Sequence, residues 1–161
     1  MMAKRVVMLV VGLVVSGSVL AQQPNGDLFR CELSNGKTVQ ISLQNGVPLY
    51  EYGAAHGSQM SPVELALPKT PGDKSQVRVA QISYSGGGAM YYRFINGPFS
   101  YVVFSGIGRG WEYTGLTVYK GEKRIMAKEC KSGGYLGSDY GGENLVSDTE
   151  TGDDNIYGVA G

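Results

Sequence analysis

Two Asn-Gly dipeptides, each lying between runs of alternating apolar and polar residues, constrain the fold more than any other feature of the sequence. They are Asn35-Gly36 and Asn45-Gly46, and they separate the runs 28–33, 37–43 and 47–52. Asn-Gly favours a two-residue hairpin turn because both central positions require positive φ. Alternation with a period of two sends successive side chains to opposite faces of a strand. Together these features predict an antiparallel meander.

The alternating pattern resumes later in the chain and continues to residue 130. Runs typical of strands cover 76–84, 89–95, 98–104, 111–120 and 123–130. Residues 53–75 interrupt the pattern with prolines and leave room for a short edge strand at 63–67. The apolar residues change parity near Ala80, which predicts a β-bulge there. We therefore predict an all-β fold, an antiparallel meander of about eight strands that forms a small barrel or sandwich.

The first 21 residues are typical of a secretory signal peptide. Lys4 and Arg5 precede an apolar run at 6–15, and small residues lead to Ala21. The run is too short for a stable membrane span. We expect residues 1–21 to be removed and residues 22–131 to form one β-domain. The alternative is that residues 1–21 form an N-terminal helix of the fold.

The two cysteines, Cys31 and Cys130, lie near the two ends of the patterned region. In an exported chain they most simply form one disulfide, which would tie the first strand to the last. A metal-binding or redox pair is the alternative, but the sequence lacks a Cys-x-x-Cys spacing. We expect a periplasmic or secreted protein with no cofactor and no metal.

Residues 132–161 differ in composition from the patterned region. They are rich in glycine, carry six acidic residues and no basic ones, and contain few aliphatic residues. Such a segment buries too little apolar surface to offset its ordering entropy, so we predict a disordered tail. As an alternative, residues 133–139 and 152–158 faintly resemble the calcium-binding Gly-Asp nonapeptide repeat.

The charged and reactive side chains argue against two classes of function. Residues 22–131 carry twelve basic and eight acidic side chains, an excess too small and too scattered for nucleic-acid binding. The single histidine, His56, lies in the predicted loop, and both cysteines are expected to be oxidised. The usual nucleophile and base pairs therefore cannot be assembled, and we predict that the chain is not an enzyme.

Two glycine-rich loops, at 85–88 and 105–110, are the candidate recognition elements. In a meander they lie at the same end of the sheet, and their lack of bulky side chains lets a partner approach the backbone. Tyrosine, tryptophan and arginine commonly anchor protein interfaces. The candidate binding residues are Ser85, Gly86, Tyr91, Arg93, Arg109 and Trp111. The alternative is that the aromatic residues fill the core and the glycines only permit tight bends.

The order of these motifs also carries a resemblance. Phe29-x-Cys31, Asn35-Gly36-Lys37, the Ser-Gly run before Tyr91 and the closing Cys130 resemble a set of small exported proteins of Gram-negative bacteria. The layout is more distantly similar to periplasmic inhibitors of C-type lysozyme, in which a Ser-Gly-x-x-Tyr motif enters the catalytic cleft. In this chain the tyrosine comes two positions later.

The resemblance implies a small β-barrel whose protein partner is a peptidoglycan hydrolase. Ser85 and Tyr91 would then form hydrogen bonds in the cleft of the hydrolase, and Arg109 would meet its catalytic carboxylates. The protein would act as a lysozyme inhibitor or as an immunity protein against a secreted hydrolase. The alternative is an envelope-associated structural protein with no defined target.

Overall fold

The computed structural model describes residues 26–136 and 145–148. The predicted signal peptide and most of the predicted tail lie outside these residues. The described residues form ten strands and one turn of 3-10 helix, Lys74–Gln76. The strands are β1 (Asp27–Leu33), β2 (Thr38–Gln44), β3 (Val47–His56), β4 (Gln59–Leu67), β5 (Val77–Tyr84), β6 (Gly87–Asn96), β7 (Phe99–Gly108), β8 (Trp111–Lys120), β9 (Lys123–Gly133) and β10 (Val146–Ser147).

The strands form one open sheet that folds over on itself. Their order is β10-β5-β6-β7-β8-β9-β1-β2-β3-β4, and β10 with β5 is the parallel pair. Strands β1–β4 form one half and β5–β9 the other, and the pairing of β1 with β9 joins the halves. Since β4 and β10 end the order, the sheet does not close. The all-β prediction is confirmed, and the arrangement is sandwich-like instead of a barrel.

The predicted reversals lie where their residues indicate, but only one of the two Asn-Gly dipeptides forms the predicted two-residue turn. Asn45 and Gly46 both have positive φ, 52° and 75°, as a two-residue hairpin turn of the primed type requires. The connection between β1 and β2 takes four residues, 34–37, with positive φ at Gly36 but not at Asn35, so the two-residue turn predicted there is wrong. A turn containing Gly97 connects β6 to β7. Gly121 lies in the turn between β8 and β9. Local turn chemistry therefore sets the register of the meander.

The region between residues 53 and 75 is more regular than the prolines predict. Strand β3 continues to His56, which lies exposed at the end of a strand and not in a loop. Strand β4 then returns from Gln59 to Leu67 and forms one edge of the sheet. Pro62 is tolerated there because an edge strand has one side without ladder hydrogen bonds. The predicted edge strand at 63–67 is thus the second half of a longer one.

The main core lies between the two halves of the sheet. Tyr50 of β3 packs against Phe94 of β6 with ring centroids 5.3 Å apart, which bridges the halves. Each large apolar side chain buried in this way contributes about 1.5–3 kcal/mol. The buried members of the main core are Phe29, Cys31, Leu33, Val39, Ile41, Val47, Tyr50, Leu67, Val77, Met90, Tyr92, Phe94, Val103, Leu116, Val118 and Leu136.

A second apolar cluster lies on the opposite face of strands β5–β8. Its buried members are Ala80, Tyr91, Val102, Phe104 and Tyr119. Because both faces of these strands are apolar, the parity change near Ala80 does not signal a bulge. The register of β5 with β6 runs without a shift from Val77↔Phe94 to Tyr84↔Gly87. Val77 and Val79 face the main core, whereas Ala80 and Ile82 face the second cluster, so the predicted bulge is wrong.

The predicted disulfide is confirmed. Cys31 and Cys130 are bonded, with Cα atoms 5.5 Å apart and a sequence separation of 99. The bond links β1 to β9, where the two halves of the sheet meet. It is weakly compatible with an extracytoplasmic location. No helix in the described ranges is long and apolar enough to cross a membrane.

The folded domain extends beyond residue 131, where the predicted tail begins. Strand β9 continues to Gly133, and Leu136 is buried in the main core. Residues 145–148 return to the sheet, and β10 pairs with Arg78 and Val79 of β5. The likeness to calcium-binding repeats rests on residues 133–139 and 152–158, of which 137–139 and 152–158 lie outside the described residues.

Candidate binding site at the hairpin end

Two turns lie side by side at one end of the β5–β8 sheet. Ser85 and Gly86 connect β5 to β6, and Arg109 and Gly110 connect β7 to β8. These turns share one end because consecutive antiparallel strands reverse direction. We refer to Ser85, Gly86, Arg109 and Gly110 as the hairpin end. All four residues are exposed, and the predicted placement of the two loops together is confirmed.

The Arg109 side chain lies across Gly86. A Cβ atom added to Gly86 would be 2.8 Å from Arg109 Nε and 2.9 Å from its Cγ. Gly86 also has a φ of +88°, which disfavours residues other than glycine. The Arg109 side chain thus lies next to both neighbouring turns. It also directs a guanidinium group over an exposed backbone.

The other glycines of these loops are explained by packing within the chain. A Cβ atom on Gly87 would lie 1.9 Å from the Ile107 carbonyl oxygen. A Cβ atom on Gly108 would lie 2.2 Å from Nε1 of the Trp111 indole. Trp111 is half-buried and packs against the second apolar cluster. The predicted binding residue Trp111 therefore lies against its own hairpin, close to the exposed turns but not among them.

Tyr91 and Arg93 do not join the hairpin end. Their side chains belong to a buried network with Asp148, which we call the Asp148 cluster. Arg93 Nε donates to Asp148 Oδ2 at 2.6 Å, and Arg93 Nη2 donates to Oδ1 at 2.5 Å. The Tyr91 hydroxyl donates to Oδ2 at 3.0 Å. Although the sequence places Tyr91 and Arg93 among the binding residues, the structure places both in the interior.

The Asp148 cluster docks the segment 145–148 onto the sheet. The side chains of Arg93 and Asp148 are 6% and 0% exposed, so each charge requires the other. The Asp148 backbone N–H also donates to the Val79 carbonyl at 2.8 Å. Asp148 is a residue that sequence reasoning misses, because it lies in a segment whose composition predicts disorder. No local signal in the sequence pairs it with Arg93.

A groove of about 380 Å³ adjoins the hairpin end. Met90 and Leu136 are buried apolar side chains of its lining, whereas Ile107 and Tyr135 are 55% and 78% exposed. Ser105 forms a hydrogen bond with Thr114 beside it, at 3.1 Å. The groove is lined by Gln81, Ile82, Ser83, Gly88, Ala89, Met90, Ser105, Gly106, Ile107, Glu112, Tyr135 and Leu136. It combines apolar surface with amide, hydroxyl and carboxylate groups, as binding sites commonly do.

A second groove, of about 500 Å³, is lined by residues of β1, β2 and β3 and by the end of β9, and it includes Arg30. The Arg30 guanidinium is already used within the chain. It donates to Gln40 Oε1 at 2.6 Å and to the carbonyls of Gly57 and Ser58 at 2.7 and 2.9 Å. These bonds tie β1 to the β3–β4 turn. The second groove is thus built around a structural arginine.

The hairpin end and the adjoining groove present groups that can contact a partner. The hairpin end supplies one cation, Arg109, and exposed backbone groups at Ser85 and Gly86, and the groove beside it supplies a carboxylate, Glu112. In the described part of the chain, no group of three or more His, Cys, Asp or Glu residues is arranged to hold a metal ion. What the arrangement provides is contact area, hydrogen bonds and a positive charge.

Comparisons with known proteins do not extend this description. No protein-family model matches the chain, and searches of curated proteins and of solved structures find no match.

Proposed function

We propose that this protein is a periplasmic or secreted binding protein that inhibits a lysozyme-like peptidoglycan hydrolase through its hairpin end. Arg109, held across Gly86 at an exposed tip, is the observation that carries the proposal. Arg109 forms no salt bridge with an acidic residue of the described ranges. The disulfide supports an oxidising compartment.

The physical basis of inhibition is charge pairing in the hydrolase cleft. Glycoside hydrolases commonly use two carboxylates that flank the scissile bond. A guanidinium group can pair with a carboxylate through two parallel hydrogen bonds. Because the contact with Gly86 restrains the Arg109 side chain, less conformational entropy is lost when it binds. Ser85, at the adjacent turn, contributes a hydroxyl group to the same cleft.

Only part of the predicted residue set enters this mechanism. Ser85, Gly86 and Arg109 are exposed and adjacent, and Trp111 packs behind them. Tyr91 and Arg93 support the fold through Asp148 and do not touch the hydrolase. The proposal therefore rests on fewer side chains than the sequence indicates.

Inhibition of cell-wall lysis tests the proposal. The purified protein is titrated against lysozyme-type hydrolases, including secreted bacterial ones, with turbidity of a cell-wall suspension as the readout. Truncating one partner of a desolvated charge pair costs at least about 2 kcal/mol, so Arg109→Ala should weaken inhibition by about thirtyfold or more. Arg109→Lys keeps the positive charge but loses the planar guanidinium group, so its inhibition should lie between that of the wild type and that of Arg109→Ala.

Lys123→Ala is the matched control. Lys123 is an exposed cation at the β8–β9 turn, at the opposite end of the same strands. Its loss should leave inhibition unchanged. Equal inhibition by the Arg109→Ala variant and the wild type would contradict the proposed role of Arg109. Failure to inhibit any lysozyme-type hydrolase would favour an envelope-associated structural role instead.

A further inference from the structure

The edge of β5 is paired along only part of its length. Strand β10 pairs with Arg78 and Val79, and within the described ranges no strand pairs with the same edge beyond them. The remainder of β5 continues to Tyr84. Gln81 and Ser83 are both exposed. An exposed edge with unpaired backbone groups is a template for another strand.

The direction of the backbone groups on this edge follows from one hydrogen bond. The Val79 carbonyl accepts from the Asp148 N–H at 2.8 Å, so the backbone groups of Val79 point toward β10 and away from β6. In an antiparallel ladder, alternate residues direct both their N–H and C=O groups to the same side. Gln81 and Ser83 therefore present two N–H and two C=O groups to the open edge.

The groove at the hairpin end lies directly beside this edge. The lining includes Gln81 and Ser83 together with Met90, Leu136, Ile107 and Glu112. A strand added to β5 would place every second side chain on the face that the groove occupies. Met90 and Leu136 favour apolar side chains there. The Glu112 carboxylate, which is exposed, favours a lysine or arginine.

We propose that the β5 edge from Gln81 to Ser83 binds an extended peptide segment of a partner protein by strand addition. The segment has apolar side chains at alternate positions and a basic side chain against Glu112. A second copy of this chain is disfavoured, because its β5 edge would bring polar Gln81 and Ser83 to the groove and no basic residue. This site is separate from Arg109 and does not depend on hydrolase inhibition.

The test uses the full-length protein and the synthetic peptide acetyl-Thr-Val-Thr-Lys-Thr-Val-amide. Binding is measured by calorimetry and by NMR of the protein amides. Gln81→Pro removes one N–H from the open edge and leaves the β6 ladder intact, and edge strands tolerate proline at such positions. This variant should weaken binding at least tenfold, whereas Gln81→Thr, which keeps the N–H, should bind within about twofold of the wild type.

The melting temperature of the Gln81→Pro variant shows whether it folds. Two further experiments with modified peptides keep the test decisive if it does not. In two versions of the peptide, alternate amides are N-methylated, at the Val and Lys residues or at the Thr residues. One N-methylated version should lose binding and the other should keep it, because only one of the two alternating sets of peptide N–H groups faces β5. Replacing the peptide lysine by glutamate should weaken binding to the wild type but not to Glu112→Gln.

Strand addition also predicts which backbone amides of the protein are protected from exchange. Amide exchange should slow at Gln81 and Ser83 when the peptide binds. Equal binding by the two N-methylated versions, or protection confined to other strands, would overturn the proposal. Absence of binding at millimolar peptide would also overturn it. A concentration-dependent dimer in which the Gln81 and Ser83 amides are protected would show that a second copy is the occupant.

Discussion

The Asp148 cluster and the hairpin end use the same residue type in opposite ways. In the Asp148 cluster, the guanidinium of Arg93 donates two hydrogen bonds to one carboxylate, and both side chains are nearly free of solvent. At the hairpin end, Arg109 is exposed and contacts the backbone of Gly86. Arg93 lies between Tyr92 and Phe94 in the sequence and is buried, whereas Arg109 lies between two glycines and remains exposed to a partner.

The difference shows that burial, and not residue type, assigns the role. A charge moved into the interior costs several kcal/mol unless an opposite charge and hydrogen bonds accompany it. Arg93 is therefore committed to Asp148, and its contribution is to hold residues 145–148 on the sheet. An exposed arginine has no such commitment, so its hydrogen-bonding capacity is available for binding. Substitutions at the two arginines and at their contacts should therefore have different effects on stability and on binding.

Loss of the disulfide should have the largest effect and should not discriminate between the two regions. The bond closes a loop of 99 residues. Replacing both cysteines by serine should lower the free energy of unfolding by about 4–5 kcal/mol in the chain-entropy model. Urea unfolding measures this loss, and the wild type under reducing conditions is the control. A loss below about 1 kcal/mol would show that the link between β1 and β9 does not need the bond.

Asp148→Ala should be nearly as damaging, and Arg109→Ala should not. Removing Asp148 breaks its buried ion pair with Arg93, which should cost about 3–5 kcal/mol. Arg109→Ala changes an exposed side chain and should alter stability by no more than about 0.5 kcal/mol. The double variant Arg93→Met/Asp148→Leu should regain much of the loss. Similar stabilities for the Asp148→Ala and Arg109→Ala variants would remove the contrast between the regions.

Gly86→Ala and Gly57→Ala form a matched pair. Both glycines have positive φ, +88° and +62°, which costs alanine about 1–2 kcal/mol. A methyl group on Gly86 also displaces Arg109, whereas one on Gly57 meets nothing within 4 Å. Both variants should lose similar stability in thermal unfolding, but only Gly86→Ala should weaken hydrolase inhibition. Equal inhibition by the two variants would contradict a role for the Arg109–Gly86 contact.

The buried hydroxyl group of Tyr50 should make the stability of the protein depend on pH. Burial raises the pKa of the Tyr50 hydroxyl well above its ordinary value. The folded state thus holds this proton more tightly than the unfolded state. The contribution of the protonated Tyr50 hydroxyl to the free energy of unfolding is therefore complete below a pH of about 10 and is lost as the pH rises further. The loss is up to about 1.4 kcal/mol per pH unit. Tyr50→Phe should lose less stability than the wild type between pH 9 and pH 11 in urea unfolding.

The sequence predicts the local features of this molecule well. Asn45-Gly46 marks its turn because the required φ values are a property of those two residues. The disulfide follows because the chain has only Cys31 and Cys130 to pair. The two loops of the hairpin end follow from the meander. Each of these inferences needs only residues that are neighbours in sequence or the number of cysteines in the chain.

The parts that sequence reasoning misses depend on contacts between distant residues. Alternation shows that Tyr91 and Arg93 share a face of β6. It does not show that both faces of β6 are buried. The partner of Arg93 lies 55 residues away in sequence. The groove needs Leu136, which lies beyond the predicted end of the domain. Composition alone assigns Leu136 and Asp148 to a tail, whereas tertiary contacts bring both to the sheet.

The most direct test follows the side-chain Nε–H signals of the two arginines by NMR when a lysozyme-type hydrolase is added to saturation. We expect the Arg109 signal to shift and to exchange more slowly with water, because a desolvated carboxylate pairs with it. The Arg93 signal should be protected before addition and unchanged after it. An unchanged Arg109 signal in the complex, or a large change at Arg93, would contradict the assignment of binding to the hairpin end.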